Sequence, residues 1–61
     1  MTTIKLINGS SYVVEQSLSE LQVLFTKYDI VELFDSINKK SIVIDRHDVL
    51  DLTDYETLVG R

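Results

Sequence analysis

"IKLINGSSYVVEQSLSEL", residues 4 to 21, decides the fold. The stretch opens within a strand, Thr2 to Ile7, that runs into Asn8-Gly9, a strong short-range signal for a β-hairpin. A two-residue type I′ turn needs positive φ at both central positions, which Asn and Gly tolerate best. The chain is therefore predicted to fold straight back as a second strand, Ser10 to Glu15, with Tyr12 and Val14 on one face. Ser17-Leu18-Ser19-Glu20 then has the spacing of a capping box. The Ser17 hydroxyl can accept from the amide three residues on, while the Glu20 carboxylate accepts from the Ser17 amide. A helix from about Leu18 to Tyr28 follows. Leu18, Leu21, Leu24, Phe25 and Tyr28 form its apolar stripe, and Val23 stands alone on the other side.

Outward from that core stretch, Ile30 to Ser36 reads as a third strand and Ser41 to Asp45 as a fourth, joined by Ile37-Asn38-Lys39-Lys40. Arg46-His47-Asp48 reads as a turn before a candidate short fifth strand, Leu50 to Thr53. The order predicts an α+β fold: one antiparallel β-β-α-β-β sheet with a short fifth strand added, and a single helix packed across one face. One domain is expected over residues 1–56, with 57–61 a flexible C-terminal tail. The helix side of the sheet should take Ile4, Leu6, Tyr12, Val14, Val31, Leu33, Ile42 and Ile44. Strict alternation places Ile7, Val13, Ile30, Phe34 and Val43 on the opposite face, along with Lys5 and Glu32. Strands apolar on both sides need two covers, and one helix supplies one. Either the sheet curls into a small barrel or a second copy covers it. The expectation is a homodimer with Ile7, Val13, Ile30, Phe34 and Val43 at its interface.

Composition narrows the functions available. Sixty-one residues lie near the lower limit for burying a self-sufficient core, and there is no cysteine to staple one. Ten acids against six bases give a net charge of −4, which disfavours direct nucleic-acid binding and suits a basic cleft on another protein. No apolar run approaches the length of a membrane span, and the first residues lack a signal-peptide layout, so a cytoplasmic location is expected, that of the host if the protein is phage-encoded.

The acids cluster in "DRHDVLDLTDYE", residues 45 to 56, where Asp45, Asp48, Asp51 and Asp54 recur at every third position before Glu56. Such spacing converges on a metal only in a helix, and this segment reads as a strand, with Asp45 and Asp51 on one face and Asp48 and Asp54 on the other. No metal and no cofactor are expected. The acids instead discourage stray edge pairing or address a basic partner. His47, the only histidine, lies in a turn with no nucleophile or glycine-rich phosphate loop to work with, so no enzyme is expected.

Two resemblances follow from these residues. "IKLINGSSYVVEQSLSEL" with "SIVIDRHDVLDL" resembles small phage and prophage proteins of low-GC Gram-positive bacteria, built as strand, Asn-Gly, strand, Ser-Leu-x-Glu helix and a closing apolar segment. "QSLSELQVLF" is similar to the helix of the small dimeric uracil-DNA glycosylase inhibitors of phi29-type phages. That likeness implies an acidic, DNA-mimicking protein that blocks a host enzyme, with a pocket on the helix that captures a protruding side chain. Carried over, Leu21 and Phe25 would line the pocket, Leu24 and Tyr28 would lie nearby, and Glu20, Asp48, Asp51 and Asp54 would face the target. A host defence enzyme is a second target class. The alternatives are a small-barrel regulator of transcription or RNA and a structural accessory protein.

Overall fold

The computed structural model describes residues 1–54. The chain is α+β: β1 (Thr2–Leu6), β2 (Ser11–Val14), α1 (Leu18–Lys27), β3 (Ile30–Asp35), β4 (Lys40–Asp45) and β5 (Val49–Asp54), with a 3₁₀ turn, Arg46–Asp48, before β5. Every pairing is antiparallel. The strands form two ladders, β2-β1-β5 and β3-β4. They meet where the Ser36 amide donates to the Val13 carbonyl at 2.8 Å. The expected end of the domain at residue 56 and the expected tail at 57–61 lie outside the described residues.

The two ladders close on one core. Ile4, Val14, Leu21, Val31, Leu33, Ile42 and Ile44 are buried, and Leu6, Tyr12, Leu24, Phe25, Val49 and Leu52 pack around them half-covered. All eight residues expected on the helix side are therefore core or its rim. Burial of a side chain of this size contributes about 1.5–3 kcal/mol, so a chain this short depends on nearly all of them. Thr2 is buried as well, its hydroxyl donating to the Gln16 carbonyl at 2.8 Å and fixing the approach to the helix.

The capping box forms as the spacing requires. The Glu20 amide donates to Ser17 Oγ at 3.2 Å, and the Ser17 amide donates to Glu20 Oε1 at 3.0 Å. At the other end Tyr28 is already extended, so the helix stops at Lys27. The Arg46 guanidinium donates to the Phe25 carbonyl at 3.2 Å and meets Asp29 at 3.2 Å, placing a cation at the negative end of the helix dipole.

Two local expectations need correction. The Asn8-Gly9 hairpin has a three-residue loop: the Leu6 amide reaches the Ser10 carbonyl at 2.8 Å and the Gly9 amide returns to Leu6 at 3.0 Å. Within that loop only Gly9 has positive φ, +94°; Asn8 instead accepts the Ser10 amide on Oδ1 at 2.9 Å. A side-chain bond of this type fixes the turn without a left-handed Asn, and it leaves Ile7 in the loop rather than on β1. The second correction concerns β5. Lys5 pairs with Asp51 and Leu6 with Val49, so Leu50 is an extra residue that bulges out of register. The bulge lets Val49 and Leu52 both turn toward the core despite their spacing of three.

Candidate functional site

Three surfaces remain once the core is assigned. The first is the outer face of the β3-β4 ladder. Register pairs Glu32 with Val43 and Phe34 with Ser41, and alternation puts Ile30 on the same side. Ile30, Phe34 and Val43 are exposed by 61%, 49% and 68%. Of the other two residues expected at a dimer interface, Val13 is half-covered on β2 beside the Ser36 junction, and Ile7 is exposed in the hairpin loop next to the Asp48 carbonyl. The five do not form one face. Ile37 and Leu50 are exposed apolar residues that sequence reasoning passed over. For Leu50 the reason is the bulge, a feature set by the strand opposite.

The second surface is acidic, and here alternation fails. Asp45 ends β4, Asp48 lies in the 3₁₀ turn, and only Asp51 and Asp54 share β5. Asp45 Oδ1 accepts the His47 amide at 2.9 Å and lies 3.0 Å from His47 Nδ1. Those bonds, with the nearby Arg46 charge, overcome partial burial and hold its carboxyl below the usual carboxylate range. Asp45 therefore caps the turn, while Asp48, Asp51 and Asp54 are exposed. Lys5 stands opposite Asp51 across the ladder. Among the described residues, no three acids or histidines come together in a group that could hold a metal.

The third surface is the helix. Leu21 is fully buried, so the residue expected to line a partner pocket belongs to the core instead. The stripe that reads as a binding motif is the face that seats the helix. Leu24 and Phe25 are half-covered, Tyr28 is more than half exposed, and the Glu20 carboxylate is exposed but occupied in the capping box. On the solvent side, shallow grooves flank Val23. One is lined by Gln16, Ser19, Glu20 and Leu24, the other by Ser19, Gln22, Thr26 and Lys27.

One acid missed by sequence reasoning is structural. Asp35 is 1% exposed and holds the β3-β4 turn from within. Its Oδ1 accepts the Ile37 and Asn38 amides at 3.0 and 3.3 Å, and its Oδ2 accepts Asn38 Nδ2 at 2.8 Å. Burial is the largest single influence and pushes the carboxyl up. The three hydrogen bonds and the Lys40 charge together outweigh it and leave Asp35 below the ordinary range. The signal was present: Asp followed three residues later by Asn is a side-chain-closed turn.

A scan against protein-family models found no match. Searches of curated proteins and of solved structures found no match either. Among the described residues, no helix is long and apolar enough to cross a membrane.

Proposed function

We propose that the protein is a small non-enzymatic inhibitor that binds and blocks a host enzyme in the host cytoplasm, as phage-encoded proteins do. The most concrete target is a uracil-DNA glycosylase, approached by DNA mimicry; a host defence enzyme is the other. The observation that carries this reading is the exposure of Asp48 in the 3₁₀ turn and of Asp51 and Asp54 on β5, in a chain of net charge −4. Acids displayed in that way attract a basic cleft of the kind that binds phosphate. Tyr28, exposed at the end of the helix that also carries half-covered Leu24 and Phe25, is the apolar anchor in this reading. A small-barrel regulator of transcription or RNA is the second reading, favoured by the way two ladders curl around one core. The negative charge opposes it, since contact with phosphate needs cations.

The test is inhibition of uracil excision by the purified protein, together with the kinetics of complex formation. Charge speeds association and is screened by salt, whereas a buried anchor slows dissociation. Neutralising Asp48, Asp51 and Asp54 together should slow association and flatten its salt dependence. Tyr28→Ala should raise the dissociation rate, by about 2 kcal/mol if that side chain is a hot spot. Full excision in a large excess of the protein removes the glycosylase as target. Association that is indifferent to both salt and the triple substitution removes the acidic-mimic reading altogether.

A further inference from the structure

β5 ends beside the start of the helix. Thr2 pairs with Val14 on one side and with Asp54 on the other, so the chain leaves β5 at the end of the ladder where β2 leads into α1. The link to the helix is short: the Thr2 hydroxyl donates to the Gln16 carbonyl at 2.8 Å. Gln16 lines one of the two grooves beside Val23, together with Ser19, Glu20 and Leu24. Val23 is 53% exposed there, an apolar side chain that neither the core nor the acidic surface uses. Leu24 both packs against the core and lines the groove. Beyond Asp54 the sequence continues Tyr55-Glu56-Thr57-Leu58-Val59-Gly60-Arg61.

We infer that the groove lined by Gln16, Val23 and Leu24 is the docking site of the chain's own residues 55–61, with Leu58 and Val59 as the side chains that fill it. Reach selects that pair. Cross-strand partners lie about 5 Å apart, so Asp54 is within roughly 10 Å of the Gln16 carbonyl through Thr2. Leu58 and Val59 come four and five residues after Asp54, about 13 and 16 Å of extended chain, which spans that gap and enters the groove. Tyr55, next to Asp54, falls short of it. The neighbouring groove, lined by Gln22, Thr26 and Lys27, does not include Gln16, so the path from Asp54 leads into the first. Tethering also favours this occupant. Two aliphatic side chains are too little to hold a separate partner, whereas a short tether presents them at an effective concentration in the roughly millimolar range. Occupied in this way, the groove is closed to outside partners, and Val23 gains the apolar cover that the helix alone does not give it.

Paramagnetic broadening in the full chain tests the docking. The sequence has no cysteine, so Arg61→Cys carries a single nitroxide label. Amide signals of Ser19, Glu20 and Val23 should lose about half or more of their intensity, as a tethered contact occupied most of the time requires. Those of Asn8 and Gly9, in the hairpin loop at the far end of β1, should keep theirs. Leu58→Ser with Val59→Ser should restore the helix signals, and so should Val23→Ser alone. Val23 lies outside the core, so its variant keeps the fold, and thermal unfolding checks both variants. Broadening at Gly9 equal to that at Val23 overturns the inference, as does helix broadening that survives the Leu58 and Val59 substitutions. A mixture of nitroxide-carrying chains with isotope-labelled chains that lack the nitroxide separates the remaining occupant. Helix signals unchanged in that mixture support docking within one chain, and broadening there assigns the groove to a second copy and overturns the inference. None of these outcomes bears on whether the acidic surface binds an enzyme, which is read in the excision assay.

Discussion

The two ladders have alike inner faces and unlike outer ones. On β2-β1-β5 the outward row holds Thr3, Lys5, Ser11, Asp51 and Thr53, with Val13 half-covered at the edge. On β3-β4 it holds Ile30, Phe34 and Val43 around Glu32 and Ser41. Inward, both ladders contribute branched aliphatic side chains to a single core. Packing alone explains the inner pattern, because each strand needs one face against the helix and the opposite ladder. It does not explain why one outer face is built for water and the other is not. Apolar side chains at alternate positions of a solvent-facing ladder contribute nothing to the monomer's core.

The contrast is broken or sharpened most strongly on β4, where neighbouring residues point opposite ways. Ile44 is 2% exposed, and Ile44→Ala should cost about 2–5 kcal/mol in urea unfolding. Val43→Ala, one residue earlier, should stay within about 0.5 kcal/mol at dilutions where the chain is monomeric. Comparable losses at both positions would mean that the outer face is packed within a single chain, and the distinction would collapse.

Acid should separate the ladders next. The two carboxyls held below the ordinary range, Asp35 and Asp45, both belong to β3-β4. Because their pKa values are lower folded than unfolded, the stability they contribute is fully present above the ordinary carboxylate value of 3.8 and is lost as pH falls through the folded values. Amides of β3 and β4 should lose hydrogen-exchange protection first on acidification, with β1 and β2 following. In Asp35→Asn the Asp35 share of this acid step should be gone, along with part of the stability at neutral pH. Equal loss across both ladders would show that they open as one unit.

The smallest expected effect lies at the junction. Ser36 Oγ is buried and, among the described residues, has no hydrogen-bond partner, while its amide makes the bond to Val13. Ser36→Ala removes the orphaned hydroxyl and keeps the amide, so the melting temperature should hold or rise slightly, by the equivalent of about 1 kcal/mol at most. A clear fall would mean that the hydroxyl is engaged at the seam.

What was legible in the sequence is what short-range periodicity controls. The inward residues of four strands follow from alternation within each strand, and the helix start follows from Ser17 and Glu20 alone. The failures share a longer-range cause. Leu50 bulges because of where β1 lies against β5, and no property of residues 49 to 54 specifies that. Leu21 reads equally well as an anchor or as core, and the choice depends on the ladders beneath it. Asn8 was legible as a turn residue but not as the one whose side chain, rather than its φ, closes the turn. Asp35 was legible as a turn residue through Asn38 three positions on, but not as a buried one, since an acid at a strand end reads as solvated until the amides that surround it are in place.

β1 sits between β2 and β5, and this position orders the events of folding. Its pairing with β2 needs only the hairpin loop at Ile7 to Gly9, a closure on the microsecond scale. Its pairing with β5 joins Thr2 to Asp54, almost the whole described chain apart, at a far higher entropic cost. On a ribosome, one edge of β1 stays open until β5 has emerged, so until then the chain presents a strand edge that, among the described strands, β5 closes.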